Sequence, residues 1–283
     1  MSLTDTESKR STITQFTDPM CTWCWGSEPI IRRLRTVLGN QVEIRYVMGG
    51  LVQDFDEFYD AANDIVEPSD VAPHWEEASQ HHGMPVDTQI FEADPAQSTY
   101  PASKAFVAAR QQDTELAHRY LRRLREGYTT QVRNVNHREE QVKIAESVGL
   151  DVDDFTTALD NGTAQAAFEK DLSRTRQAGV RAFPTYHIKG PAGENQVSGF
   201  QSFEELVAAL KTVAPTLEQS STPPVPQFIA EYEPVATREV AEVYEFDDGK
   251  ARQVLESFAD DGSIRREARG NGFFWYSKNG GDR

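Results

Sequence analysis

The sequence predicts an α/β fold with a large helical insertion, followed by a small α+β unit. Two strand-like segments flanking a helix-like one open the chain. Segments whose apolar residues recur at helical spacing then dominate from about 54 to 180. Strand-like alternation of apolar and polar residues returns at 185–199. A segment rich in proline, serine and threonine at 214–227 precedes a final pair of helices and a hairpin.

The opening segments predict a β-α-β unit. Residues 11–16 (STITQF) are rich in β-branched and aromatic side chains and form a strand that Asp18 ends. Apolar residues recur at helical spacing over 24–38, and Gly39 supplies a stop signal. Residues 42–50 (VEIRYVMGG) form the second strand. Strands joined by a helix are expected to be parallel, with a right-handed crossover.

The end of the first unit is predicted to be a hairpin and a closing helix. The insertion at about 54–180 consists of helix-period segments separated by short polar breaks. Residues 185–190 and 194–199 then alternate like the two strands of a hairpin. Ser202 is expected to cap the closing helix, with Glu205 completing a capping box.

The second unit is predicted to be a winged-helix-like domain. The first unit spans residues 1–216, a linker covers 217–227, and the second unit spans 228–283. Within it, TREVAEVY and DDGKARQVLESFADDG have helical period, and SIRREARGNGFFWYS alternates like a hairpin that turns at 270–272.

The charge of the second unit argues against nucleic acid as its partner. Arg265, Arg266 and Arg269 on the predicted wing could contact phosphates. Residues 218–283, however, hold 13 acidic and 8 basic side chains, and phosphate contacts weaken as salt rises. A protein-contact or dimerisation module is the preferred interpretation, and a homodimer is one possible outcome. The apolar residues 273–276 fit a core, an interface, or both.

Composition indicates a protein of a salt-rich cytoplasm. The net charge is −16, and lysine supplies only 8 of the 29 basic residues. Such an acidic, lysine-poor surface suits concentrated salt, which screens self-repulsion; an ordinary acidic cytosolic enzyme is the alternative. Residues 1–16 contain no apolar signal-peptide core, and the chain contains no apolar run long enough for a membrane span. We therefore expect a reducing compartment, where disulfides are more often catalytic or regulatory than structural.

Cys21 and Cys24 are the only cysteines of the chain, and a redox role explains their spacing best. Zinc requires four ligands, but there is no second cysteine pair and the six histidines are scattered, so no metal site is expected. A structural disulfide across so short a loop would remove little entropy from the unfolded chain.

The position of the pair predicts a different chemical role for each cysteine. Cys21 falls at the start of a helix, where unpaired N–H groups and the helix dipole lower a thiol pKa, so it is expected to attack disulfides. Cys24 lies one turn further along and is expected to resolve the mixed disulfide. Trp23 and Trp25 are candidates for shielding the pair and contacting substrate, although both could instead pack against the sheet.

The segment around the pair resembles a known family. Residues 16–34 (FTDPMCTWCWGSEPIIRRL) resemble the active-site segment of the DsbA-like thioredoxin-fold proteins, in particular the FrnE-like branch with its D-P-x-C-x-W-C-W/Y pattern. Residues 44–51, 98–111 and 134–155 resemble the same branch in the same order. The resemblance covers residues 12–213.

The resemblance implies a thioredoxin fold with a cis-proline facing the cysteines. Pro184 in GVRAFPTYHI is the candidate, and Phe183 would present backbone groups to an extended substrate. No cofactor is implied; the partners would be disulfide- or thiol-containing client proteins and a thiol reductant. The chain departs from the family at Gln15, where thioredoxins hold a buried acid, and at Thr22, where relatives have proline or histidine.

Two functions of different classes remain open. The first is a thiol–disulfide oxidoreductase acting on protein or small-molecule disulfides through Cys21 and Cys24. The alternative is a redox-responsive adaptor or regulator that binds a client protein without turnover. Glutathione-transferase kappa or chromene-carboxylate isomerase activity, which shares the fold, is disfavoured because those active sites lack paired cysteines.

Overall fold

The computed structural model describes residues 10–61 and 63–278. The outer ends of the two predicted units, 1–9 and 279–283, therefore lie outside the described residues. The strands are β1 Ser11–Thr17, β2 Val42–Met48, β3 Thr185–Gly190, β4 Gly193–Ser198, β5 Val235–Ala236, β6 Ile264–Arg269 and β7 Gly272–Ser277. The helices are α1 Thr22–Gly26, α2 Glu28–Leu38, α3 Val71–His82, α4 Ile90–Ala93, α5 Tyr100–Gln112, α6 Thr114–Thr130, α7 Arg138–Val148, α8 Val152–Asp160, α9 Thr163–Gln177, α10 Phe203–Val213, α11 Val225–Tyr232, α12 Thr237–Tyr244 and α13 Asp248–Asp260.

The first unit has a thioredoxin-like fold built on a four-stranded sheet of order β2-β1-β3-β4. Strands β1 and β2 are parallel, as the β-α-β pattern predicts, and Ser11 lies opposite Val42. Strand β3 runs antiparallel to β1 and forms the predicted hairpin with β4. The predicted capping box of Ser202 and Glu205 opens α10. Helices α3 to α9 form the insertion between β2 and β3, also as predicted.

The helix predicted over 24–38 is two helices. α1 begins earlier, at Thr22, and α2 starts at Glu28 after a break at Ser27. The cause is Pro29, which has no N–H to donate to the carbonyl of Trp25 and so cannot continue the α1 ladder. The consequence is a short first helix, with Cys21 at its N-cap position and Cys24 within its single turn.

The second unit begins earlier than predicted, because α11 starts at Val225 inside the segment assigned as a linker. Pro226 suits this place because the first turn of a helix needs no N–H donors. The order helix, short strand, helix, helix and hairpin is winged-helix-like, with a three-stranded antiparallel sheet of order β5-β7-β6. The hairpin β6–β7 turns at Gly270 and Asn271, as predicted.

The second unit is packed firmly against the first. Helix α12 lies along α2. The tip of the β6–β7 hairpin meets the insertion, where the Asn271 N–H donates to the Val86 carbonyl (3.0 Å) and the Asn271 side chain accepts from the Val86 N–H (2.9 Å). Phe274 and Trp275 are fully buried. The apolar segment 273–276 therefore contributes to the core rather than to a free dimer surface.

The wing arginines pair with carboxylates and aromatic rings of the chain itself. Arg269 binds Glu267 (2.7 Å) and reaches Glu126 of the insertion (3.5 Å). Arg266 lies 3.5 Å from Glu256, and Arg265 stacks on the ring of Tyr276. These pairings neutralise the positive charge that a nucleic-acid contact would require.

Candidate active site

The turn after β1 places Cys21 at the N-terminus of α1. One carboxylate oxygen of Asp18 accepts the Met20 N–H (2.9 Å), and the other accepts the Leu51 N–H (2.9 Å) and the Thr99 hydroxyl (2.7 Å). Asp18 therefore ends the strand as the sequence indicated, and it also ties the turn to the insertion. Burial raises the pKa of its carboxyl group.

The structure brings the cysteine pair and the Phe183–Pro184 dipeptide together. The Phe183–Pro184 peptide bond is cis, as the resemblance implies. Cys21 Sγ lies 3.8 Å from the Phe183 carbonyl oxygen, within reach of a weak S–H···O hydrogen bond. Cys21 is only 6% exposed and Cys24 is completely buried, and both are free thiols. An incoming disulfide can reach the pair only at Cys21.

Trp23 and Trp25 occupy different environments. Trp23 is half-buried at the rim, where its ring lies 5.5 Å from that of His81 and 5.7 Å from that of Phe200. Trp25 is completely buried, and its indole N–H donates to the Pro85 carbonyl (2.8 Å). The prediction that Trp25 contacts substrate is therefore wrong, because its ring packs inside the core.

The two thiols share a hydrogen bond, so each changes the pKa of the other. The hydrogen bond to Cys24 and burial together raise the pKa of Cys21 well above its ordinary value. Burial alone would raise the pKa of Cys24 as well, but the hydrogen bond from Cys21, the guanidinium of Arg125 and the hydroxyl of Thr17 lower it overall. Because the two thiols share one hydrogen bond, these partners act on the pair as a whole, and the expectation that Cys21 is the attacking thiolate stays a prediction.

A buried ion pair supplies the positive charge near Cys24. Arg125 of α6 is completely buried, and its guanidinium contacts Glu28 and donates to the Thr17 hydroxyl oxygen (2.5 Å). Burial would raise the pKa of Glu28, but Arg125, Arg122 and Arg32 lower it to about 2, so it remains ionised. Sequence analysis missed Arg125; the only signal was the arginine-rich stretch YLRRLREGY (residues 120–128), whose arginines pair with carboxylates in the structure.

His82 is a second residue near the motif that the sequence alone did not reveal. His81 is exposed, but His82 is only 3% exposed and lies beneath the motif, not on a solvated stretch as its polar neighbourhood suggests. Its Nδ1 accepts the Met84 N–H (3.0 Å), so in the neutral ring Nε2 carries the proton and donates to the Thr22 hydroxyl (3.3 Å). The ring fits because residue 26 is glycine, where a Cβ would fall 2.4 Å from it.

Gln15 occupies the place of the acid found in thioredoxins and does no proton transfer. It is completely buried, and its amide donates to the Ser27 hydroxyl (2.9 Å). Ser27 in turn donates to the Cys24 carbonyl (2.7 Å). Gln15 therefore supports the backbone of α1 rather than the chemistry of the thiols.

Over residues 10–61 and 63–278, no group of three or more histidine, cysteine, aspartate or glutamate side chains has an arrangement suited to a metal ion. No helix in the same residues is long and apolar enough to cross a bilayer.

Comparison with known proteins places the chain in a family. The family model Thioredoxin_5, described as thioredoxin, matches residues 15–208. The chain is 27% identical to the ClpXP adapter protein SpxH of Halalkalibacterium halodurans, over 92% of this chain and 86% of that protein. It is also 27% identical to SpxH of Bacillus subtilis, over 94% of this chain and 88% of that protein.

The fold also matches a solved structure. The cytosolic disulfide reductase DsbM from Pseudomonas aeruginosa has a TM-score of 0.54 and 21% identity, over 66% of this chain and 89% of that one. At this identity the likeness shows the fold alone. Because the family model spans more than half of the sequence, the chain belongs to the DsbA-like thioredoxin family Thioredoxin_5.

Proposed function

We propose that this protein is a cytoplasmic adaptor that binds a client protein and brings it to a ClpXP-type protease. The extent of the similarity carries the proposal. The likeness to two ClpXP adapter proteins covers 92% and 94% of the chain, so it includes the winged-helix-like unit. The likeness to a disulfide reductase covers 66% of the chain.

The rigid attachment of the C-terminal unit supports an adaptor. Glu239 of α12 is completely buried and accepts from Arg122 of the insertion (2.7 and 2.8 Å) and from Arg32 of α2 (3.3 Å). Removing one partner from such a group leaves an uncompensated buried charge, which strongly disfavours separation of the two units. An adaptor that presents a client to a second protein needs two surfaces held in a constant orientation.

Exposed apolar residues in the segment after β2 are candidates for a surface that binds a protein client. Three large hydrophobic side chains are exposed in the segment after β2: Leu51, Tyr59 and Val66. Because β1 and β2 are parallel, this segment starts at the same end of the sheet as Cys21. Trp23, two residues after Cys21, is also partly exposed.

Thiol–disulfide exchange is the second candidate function, favoured by the contact between Cys21 and Phe183 (3.8 Å) beside the cis-proline. In the reducing direction the Cys21 thiolate attacks a client disulfide, forms a mixed disulfide and releases one client thiolate. Cys24, as thiolate, then attacks Cys21 Sγ and releases the second. The pair loses two electrons and two protons and becomes a disulfide, and the client gains two thiols. Repeated turnover requires a thiol reductant.

Client delivery can be tested with a ClpP protease made inactive so that it retains what ClpX feeds it. Proteins trapped in cells with and without this chain are compared, and a protein trapped only in its presence is purified. We expect purified ClpXP to degrade that protein several-fold faster when the chain is added. The proposal fails if no trapped protein depends on the chain or if degradation is not accelerated.

Insulin reduction by dithiothreitol in high salt separates the two functions. If the chain is an adaptor, degradation of its client persists in Cys21→Ser and insulin turnover stays at the background rate. If it is an oxidoreductase, insulin turnover is fast in the parent and lost in Cys21→Ser. Cys24→Ser serves as the matched control, because it retains the attacking thiol but cannot resolve the mixed disulfide.

A further inference from the structure

Two arginines near the cis-proline have no acidic partner in a strongly acidic protein. Arg176 lies in the last turn of α9 and Arg181 in the loop that leads to Phe183, and both are exposed. Most arginines of the described chain pair with a carboxylate, but no carboxylate lies within 4.0 Å of either of these two among the residues that the structure describes. Asp171, the acidic residue nearest to them in sequence, is buried and is bound by Arg110 (2.9 and 3.0 Å).

The packing around Gly49 and Gly50 places Arg176 beside the cysteine pair. A Cβ built at Gly49 would fall 2.0 Å from the Phe183 ring, and one at Gly50 would fall 2.7 Å from Leu172 Cδ2. The Phe183 ring and α9 therefore lie directly against the segment that leaves β2. Leu172 and Arg176 are one helical turn apart, so they share a flank of α9. Arg176 thus lies on the flank that faces this end of the sheet.

Two further observations support this placement of positive charge. Burial raises the pKa of Tyr100, and the guanidinium of Arg176 is near enough to act in the opposite direction. The Tyr100 ring lies against Gly50, where a Cβ would fall 2.8 Å from it. Arg181 is two residues from Phe183, so their Cα atoms are at most about 7 Å apart. Both arginines therefore lie close to the dipeptide that contacts the cysteine pair.

We propose that Arg176 and Arg181 select client segments that carry acidic side chains next to the residue bound at the cysteine pair. The inference rests on the proposal above that a client protein binds near this pair, and it names the chemistry of that client. An extended segment advances about 3.3 Å per residue, so an acidic side chain about two or three residues from the one beside Cys21 comes level with Arg181.

The charge of the whole chain adds specificity to this choice. The net charge is −16, so most of the surface repels an acidic segment. A guanidinium without a carboxylate of its own can bind the acidic side chain of a client by two parallel hydrogen bonds. The same segment is therefore attracted near the cis-proline and repelled elsewhere.

Short peptides of different charge test the inference without a protease. Each peptide has one central cysteine, flanked on both sides by glutamate, glutamine or lysine, and carries it as a mixed disulfide with thionitrobenzoate. The protein carries Cys24→Ser, so Cys21 is its only thiol. The Cys21 thiolate attacks the peptide sulfur, a Cys21–peptide disulfide forms, and the coloured thionitrobenzoate anion leaves. Each rate is divided by the rate with a small neutral thiol, which corrects for the intrinsic reactivity of the peptide.

We expect the glutamate peptide to react several-fold faster than the glutamine peptide, and the lysine peptide to react slowest. Arg176→Gln and Arg181→Gln should each reduce this preference, by up to about fivefold for an exposed ion pair, and the double variant should lose it. The preference should also shrink as the salt concentration rises, because salt screens exposed charges.

Arg174→Gln is the matched control. Arg174 is exposed and lies on the same helix, but it is two residues from both Leu172 and Arg176. At 3.6 residues per turn, this spacing puts it on the opposite flank of α9. Its substitution removes the same charge and should leave the preference unchanged.

Three outcomes would overturn the inference: equal rates for the glutamate and glutamine peptides, a preference that survives in the double variant, or an equal loss in Arg174→Gln. The same peptides with serine in place of cysteine, labelled with a dye, give affinities by fluorescence anisotropy. These affinities must rank in the same order, so a slowly reacting thiol cannot hide the effect.

Neither measurement uses ClpXP, so the two proposals can fail separately. A charge preference without any client trapped by ClpP removes the adaptor function alone. Delivered clients without a charge preference remove only the role of Arg176 and Arg181.

Discussion

Two buried, uncharged histidines should make the folded state less stable as the pH falls from 7 to 5. The first is His82, beneath the cysteine motif. Burial lowers the pKa of His82 to about 3, with smaller contributions from the nearby positive charges of His81 and Arg238. A protonated ring would also lose the acceptor that Nδ1 provides to the Met84 N–H.

The second is His118 of α6, which is 8% exposed. Burial lowers the pKa of His118 to about 3, and the Arg35 guanidinium adds to this, whereas Glu28 acts in the opposite direction. His118 Nδ1 lies 2.8 Å from an Arg35 nitrogen, which can only donate. Protonation of Nδ1 would place two donors face to face.

The magnitude follows from proton linkage. In the unfolded chain both rings take up a proton near pH 6.5, so between pH 6.5 and 3 the unfolded state binds more protons than the folded state. The stabilisation is fully present above pH 6.5 and is lost as the pH falls. At about 1.4 kcal/mol per pH unit, each histidine should cost about 2 kcal/mol between pH 7 and 5. The pKa of Glu28 in the folded state is lowered to about 2, so the stability that its ionised form contributes is lost only as the pH falls below about 4.5. Glu28 therefore does not affect the comparison between pH 7 and 5.

Denaturant unfolding at pH 7 and pH 5, at constant high salt, measures this loss. The parent is compared with His82→Gln, His118→Gln and the double variant, and with Thr175→Val, a buried substitution on α9 that removes no titratable group, as control. We expect each histidine substitution to remove about 2 kcal/mol of pH dependence and the control to remove none. Equal pH dependence in the parent and the double variant would refute the reasoning.

Three further substitutions probe the packing around the motif, each followed by denaturant unfolding at pH 7. Trp25→Ala should cost about 3–5 kcal/mol, because it empties a completely buried site; a cost below 1 kcal/mol would contradict that placement. Glu239→Gln should cost about 3–5 kcal/mol by leaving buried arginines without their carboxylate, whereas Glu256→Gln, which breaks a half-exposed pair, should cost about 1 kcal/mol or less. Gly26→Ala should destabilise by about 1–3 kcal/mol, because its Cβ would meet the His82 ring; parent-like stability would show that the ring is free to move.

Local signals predicted the fold well because each is complete within a few residues. The capping box of Ser202 and Glu205 requires only four consecutive residues and appears as expected. The Cys21–Cys24 spacing and the Phe183–Pro184 dipeptide are likewise local signals, and they identified the central residues of the candidate site. The break before Pro29 was missed although its cause is local, because the apolar periodicity continues through it.

The rest of the site depends on contacts between distant parts of the chain. Arg125 lies 108 residues from Thr17 along the sequence, and three arginines share its stretch of helix. Only the packing of α6 decides which of them faces the sheet. His82 lies 60 residues from Thr22, and Trp25 reaches Phe274 in the second unit. No pattern within a single element specifies such pairings.

The same contacts connect the cysteine pair to the C-terminal unit. Glu28 accepts from Arg125, which reaches Thr17 beneath Cys24, and also from Arg122, which binds Glu239 of α12. Since buried charges interact more strongly than charges in water, a negative charge gained or lost at Cys24 is felt along this chain of ion pairs. A thiolate of the pair would be lost on oxidation, and the carboxylates would then balance the arginines alone. Such a change would act on the same ion pairs that attach the winged-helix-like unit, and an adaptor that responds to oxidation without turning over its client would need a connection of this kind.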